Sequence, residues 1–182
     1  MKLRRFAATT AAAVIAVAGS WVAATPAQAI VCEAFWGSLP KISEDYNFST
    51  VTNVRAGRHQ CFDRLVIDVS GPAAGYAVMY VDEVRGTADQ AVPLAGGAKL
   101  EVWVSAPTYD DDGEPTYRPA NPNRIVNVTN YRTLRQVALV ESFEGHTLIG
   151  LGVRARLPMR TFVLDGPGGG SRVVVDIAHL WY

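Results

Sequence analysis

Hydrophobic and polar positions alternate with a period of two along most of this chain. The clearest case is a string that occurs twice, RLVIDV at residues 64–69 and RVVVDI at residues 172–177. Both read Arg, three apolar residues, Asp and one more apolar residue. Successive strand side chains point to opposite faces, so Leu65, Ile67 and Val69 share one face while Arg64, Val66 and Asp68 share the other. The second copy divides the same way, Val173, Val175 and Ile177 against Arg172, Val174 and Asp176. The β-branched content favours strand over helix. Within one copy the Arg and the Asp lie four residues apart, roughly 13 Å along a strand, too far to pair. If the copies are antiparallel and in register, Arg64 faces Asp176 and Asp68 faces Arg172, whereas a parallel register sets Arg against Arg. Opposite charges across a strand pair attract and like charges repel. The pattern therefore predicts that the two segments are antiparallel neighbours, and it gives these four charges a structural role.

Further short apolar runs predict strands at residues 53–56, 76–83, 99–105, 124–129, 137–143, 147–153 and 160–164, beside 64–70 and 172–178. Gly71-Pro72, Gly96-Gly97, Gly145 and the run from Gly166 to Gly170 are turn signals between them. No segment sustains a 3.6-residue period; residues 133–137 and 87–95 fit helical turns at most. Trp103, in mid-strand, is expected in the core. Many short strands without strand–helix alternation predict an all-β fold, a sandwich of about eight or nine strands.

One long irregular stretch, residues 106–123, interrupts this regularity with Pro107, Asp110-Asp111-Asp112-Gly113, Pro115, Pro119 and Pro122. A loop of this length is either a solvated excursion or a functional element. As a binding loop it would offer Tyr109, Tyr117 and Arg118. Its aspartates do not follow the EF-hand pattern, because Pro115 stands where that loop requires Gly when Asp110 is first.

The first residues have the form of an export signal. Lys2, Arg4 and Arg5 supply a positive start, an Ala/Val-rich stretch follows, and Ala27-Gln28-Ala29 is a small-x-small cleavage site. Residues 1–29 are therefore expected to be a removed leader, residues 30–52 an N-terminal segment, and residues 53–182 the sandwich, with no membrane span after cleavage. Val31, before Cys32, does not suit lipid attachment, so release from the cell is expected. The net charge of zero hides an asymmetry. Without the leader's three basic residues the chain keeps 14 Lys and Arg against 17 Asp and Glu, a formal charge of −3. No basic stripe occurs, which excludes nucleic acid as a partner.

Two cysteines, Cys32 and Cys61, follow the leader. An even count in an exported chain predicts a disulfide, which would tether residues 30–52 to the strand near Leu65. The alternative, His59 and Cys61 as metal ligands, lacks further cysteines, and no metal or cofactor is expected. There is no G-x-S-x-G elbow, H-E-x-x-H or phosphate loop. His59 and His179 flank the repeated strands, so antiparallel pairing would bring them toward one end, near Asp63. Hydrogen-bonded structural histidines are the expected reading, and an acid–base site is the alternative.

Three blocks of residues carry a resemblance to a known family. The first is His59, Phe62-Asp63-Arg64, the apolar run to Asp68, and Gly75-Tyr76-x-Val78-x-Tyr80-Val81. The second is Phe143-Glu144-Gly145 with Gly150-Leu151, and the third is residues 172–177 with His179. In this order they resemble the AMIN-like domain of secreted and lipid-anchored actinobacterial proteins, over about residues 53–180. The name looks to the AMIN domain, a β-sandwich beside cell-wall amidase domains and in outer-membrane secretins that localises its protein by binding cell wall. The resemblance implies a non-catalytic envelope-binding β module whose partner is cell-wall peptidoglycan glycan or an envelope protein. Trp36, Tyr109 and Tyr117 would stack on sugar rings, with Arg118 beside them. Two alternatives stay open: a small secreted hydrolase using His59, Asp63 and His179, and an inhibitor-like module presenting residues 106–123 to a protein.

Overall fold

The computed structural model describes Cys32 and residues 35–45, 47–72 and 74–181. The expected leader, residues 1–29, lies outside the described residues. Among those described, eleven strands form: Lys41–Ser43 (β1), Val51–Arg58 (β2), Phe62–Val69 (β3), Tyr76–Val81 (β4), Val84–Arg85 (β5), Ala91–Val92 (β6), Ala98–Val104 (β7), Leu134–Phe143 (β8), His146–Val153 (β9), Met159–Asp165 (β10) and Ser171–Ala178 (β11). A five-stranded sheet runs β1-β4-β7-β9-β8 and a four-stranded sheet runs β10-β11-β3-β2, with β5 and β6 as a separate small pair. Neighbours in both large sheets are antiparallel. The fold is the all-β sandwich that the alternation predicts.

Alternation fixes which residues meet between the sheets. Leu65, Ile67 and Val69 of β3 and Val173, Val175 and Ile177 of β11 join one core cluster with Leu100, Val102 and Val104 of β7 and Ile149, Leu151 and Val153 of β9. Burying each such side chain contributes about 1.5–3 kcal/mol. The outward residues of β3 and β11 pair as their sequences require, with Arg64 opposite Asp176 and Arg172 opposite Asp68.

The hairpin between β8 and β9 closes at Phe143 opposite His146. Its two central residues, Glu144 and Gly145, both have positive φ, 48° and 79°. That is the primed turn whose twist suits antiparallel strands.

Four expectations are corrected. Residues 124–129 do not form a strand. Asn121 accepts a hydrogen bond from the Asn123 amide and starts a short 3-10 turn, Pro122–Arg124. Asn127 then accepts from the Thr129 amide, so the turn chemistry of Asn and Pro outweighs the β-branched composition. Residues 133–137 largely belong to β8 rather than to a helical turn. Residues 87–95 are not helical either; Ala91–Val92 pairs with β5, and the chain then crosses the outer side of β9. Trp103 lies on the outward face of β7 beside Glu101, half-buried, because Leu100, Val102 and Val104 take the inward positions.

The N-terminal segment spans the sandwich edge. The disulfide Cys32–Cys61 holds its start beside β3, with Cα atoms 5.3 Å apart. Gly37 accepts a hydrogen bond from the Met159 amide of β10, and β1 then adds to β4 in the other sheet.

Candidate binding site

Residues 106–123 fold as a built element rather than a free excursion. Tyr109 bridges to Pro115, and the amides of Asp110 and Thr116 donate to the carbonyls of Glu114 and Thr108. Asp110 Oδ1 accepts from the amides of Asp112 and Glu114, so the first aspartate caps its own turn. The hairpin is tied to β2 twice, by Val51 N to Pro107 O and by Thr116 Oγ1 to Val51 O, 2.8 Å.

This folding brings Tyr109, Tyr117 and Arg118 to the walls of one open cleft of about 590 Å³, together with Pro115, Pro119 and Leu139. Tyr117 packs against the core cluster, and burial pushes its phenol up from the ordinary value. Arg118 is exposed. Flat phenol and proline rings beside a guanidinium suit a ligand with apolar ring faces and polar edges.

Trp36 is elsewhere. Its ring lies 4.3 Å from the Arg160 guanidinium carbon, on the outer side of the four-stranded sheet. Arg160 and Arg64 both approach the rings of Phe62 and Phe162, at 5.2–5.5 Å. Both guanidinium groups also donate to Asp176, whose carboxylate is fully buried. At the other end of the same face, Asp68 is bracketed by Arg55 and Arg172. Each outward carboxylate thus sits between two arginines. The second arginine of each set, Arg160 and Arg55, carries no pairing signal within its own strand.

The histidines separate. His59 is exposed and stacks on Phe62, ring centroids 4.4 Å apart. His179 is buried, with Nε2 3.1 Å from Asp63 Oδ1 and Nδ1 3.2 Å from the Gln60 carbonyl oxygen. Phe62 and Asp63 are adjacent in one strand and point to opposite faces, so His59 lies across the sheet from the Asp63–His179 pair. Asp63 also accepts from the amides of Thr133 and Leu134. Its carboxylate is consumed by structural bonds, and the three groups that a hydrolase would need do not converge.

A family model described as AMIN-like domain matches residues 49–179. No curated protein and no solved structure matches the chain.

Proposed function

The chain belongs to the AMIN-like domain family, and we propose that it is a secreted, non-catalytic module that associates with the cell envelope by binding wall glycan through the Tyr109–Tyr117–Arg118 cleft. One observation carries this reading: three residues from a proline-rich loop share a single cleft with aromatic, proline and guanidinium walls. Sugar rings offer apolar faces to such walls and hydroxyl or carboxylate edges to the guanidinium. The disulfide suits an oxidising, extracellular compartment. No described helix is long and apolar enough to cross a membrane.

The test is sedimentation of the exported protein with purified insoluble peptidoglycan. Saturable binding is expected, weakened several-fold by Tyr109→Ala and by Arg118→Ala. Binding that ignores both substitutions overturns the cleft, and a folded protein that fails to sediment overturns the glycan reading. A protein partner then becomes the leading case, favoured by the exposed acidic tip formed by Asp110, Asp111, Asp112 and Glu114.

A further inference from the structure

Ion pairing divides the arginines into two groups. Arg55, Arg64, Arg85, Arg160 and Arg172 each have a carboxylate within ion-pair distance. Apart from Arg118 of the cleft, those with none among the described residues are Arg58, Arg124, Arg132, Arg135, Arg154 and Arg156. They gather at one end of the sandwich. Arg58 lies over the Tyr131 ring, Arg135 donates to the carbonyls of Tyr131 and Arg132, and Arg124 shares an open cleft with Tyr131 and Arg135. The Arg154 amide donates to the Thr133 carbonyl and its guanidinium to the His179 carbonyl. Arg156 donates to Ser38, and its own carbonyl accepts from the Trp181 indole. Arg135 is half-buried and the others are exposed.

Few carboxylates offset these cations. Asp63 lies beneath them, fully buried and bonded to His179 and to two amides. Asp82 and Glu83 follow β4 at the same end, where Glu83 pairs with Arg85 and Lys99 donates to the Asp82 carbonyl. The other exposed acids collect at the opposite end: Asp110, Asp111, Asp112 and Glu114 of the loop, Glu144 of the β8–β9 turn and Asp165 at the close of β10. The formal charge of −3 on the exported chain is therefore the sum of an acidic pole and a basic pole, and it does not repel anions from the basic one. Exposed apolar residues mark the basic end as well. Leu39, Leu180 and Trp181 are 71%, 53% and 54% exposed, and they flank Arg156 through its bonds to Ser38 and to the Trp181 indole. The Cys32–Cys61 disulfide brings the start of the N-terminal segment to the same end.

We propose that the basic end is a docking surface for an anionic bilayer, with the arginines on lipid phosphates and Leu39, Leu180 and Trp181 entering the headgroup region. Cationic charge alone suits any polyanion; an exposed indole and two exposed leucines beside it favour a bilayer. The acidic pole then points away from the membrane. The surface uses none of the residues of the Tyr109–Tyr117–Arg118 cleft and does not depend on the glycan reading.

The experiment sediments the exported, disulfide-bonded protein with phosphatidylcholine vesicles, with and without phosphatidylglycerol. Binding is expected only to the vesicles with phosphatidylglycerol, falling as salt rises. Arg124 and Arg132 are exposed and have no side-chain partner among the described residues, so replacing both by Gln should leave the fold intact. It should weaken binding by about 25-fold, roughly 5-fold for each charge. Trp181→Ala should weaken it several-fold. Brominated acyl chains should quench the fluorescence of the unaltered protein more than that of Trp181→Ala. If Trp181→Ala fails to fold, the arginine pair carries the test. Equal binding to both kinds of vesicle, or binding unchanged in the folded variants, overturns the surface. Binding that needs the arginines while brominated chains leave Trp181 unquenched overturns the bilayer and assigns the basic end to a soluble polyanion.

Discussion

Arg64 and Asp176 face each other across the β3–β11 pair, with Nε 2.6 Å from Oδ1 and Nη2 2.9 Å from Oδ2. Arg160 adds a third bond from β10, so one fully buried carboxylate holds two cations. Removing that charge leaves two guanidinium groups side by side among Phe62, Phe162 and Trp36. Asp176→Asn is expected to cost about 3–5 kcal/mol in urea unfolding, the range for breaking a buried pair. Asp68 retains more solvent, 21% exposed against none for Asp176, and Asp68→Asn is expected to cost about 1 kcal/mol. Equal losses at the two positions would contradict this ranking.

Asp63 and His179 form the other buried pair, and its bonds reach three elements. Asp63 of β3 accepts from Thr133 N and Leu134 N at the start of β8 and from His179 just past β11, while Thr133 Oγ1 donates to the Ala178 carbonyl. An asparagine keeps one acceptor oxygen but turns an amide toward a donor. Asp63→Asn should cost about 2–3 kcal/mol. A double-mutant cycle with His179→Ala should show a coupling of about 1–3 kcal/mol. A coupling near zero would mean that the pair does not act as one clamp.

How much of this was legible depends on where each signal resides. Arg64, Asp68, Arg172 and Asp176 stand out because each interrupts an otherwise apolar run, and their spacing fixes both face and register. Arg160 opposite Asp176 was not legible. The one carboxylate of its strand, Asp165, is five residues on and so falls on the opposite face, and the register with β11 depends on the glycine-rich turn between them. Trp103 shows that parity outranks side-chain size: in the run from Lys99 to Val104 the smaller residues occupy the inward positions. For the cleft, the density of proline and tyrosine in residues 106–123 marks the loop. The convergence of Tyr109, Tyr117 and Arg118 depends on backbone bonds to Val51, a residue more than fifty positions earlier, which no local pattern encodes.

Gly152 of β9 is expected to be intolerant of any side chain. A Cβ there would fall 2.0 Å from the Ala95 carbonyl oxygen, because residues 93–97 lie directly against the strand and Ala95 is bonded to Gln136 of β8. The obstacle is backbone, so it cannot rotate away. Gly152→Ala should lower stability by about 2–3 kcal/mol or displace the crossing segment. Gly57 of β2 is the control: its added Cβ would meet only the end of the His59 ring at 3.6 Å. Gly57→Ala should change stability by less than about 1 kcal/mol. Thermal unfolding of the two variants separates these outcomes, and comparable midpoints would show that the crossing segment yields freely.

The N-terminal segment should depend on its disulfide more than on its own packing. Phe35, Leu39 and Ile42 are 84%, 71% and 60% exposed, so the segment adds little to the core. What holds it is Trp36 against Arg160, two bonds from Arg156 to Ser38, the Met159–Gly37 bond and the three-residue β1. A cation–π contact at such a site contributes about 0.5–1 kcal/mol. Closing a loop of 29 residues' separation contributes about 3–4 kcal/mol in the chain-entropy model. Replacing both cysteines by serine is therefore expected to lower unfolding stability by about 3–4 kcal/mol, and Trp36→Ala by no more than about 1–2 kcal/mol. If the tether also positions Trp36, reduction should raise the accessibility of its indole to a collisional quencher before the sandwich unfolds. A larger loss from Trp36→Ala than from the double serine variant would invert this order and make the stacked indole, rather than the disulfide, the principal tie.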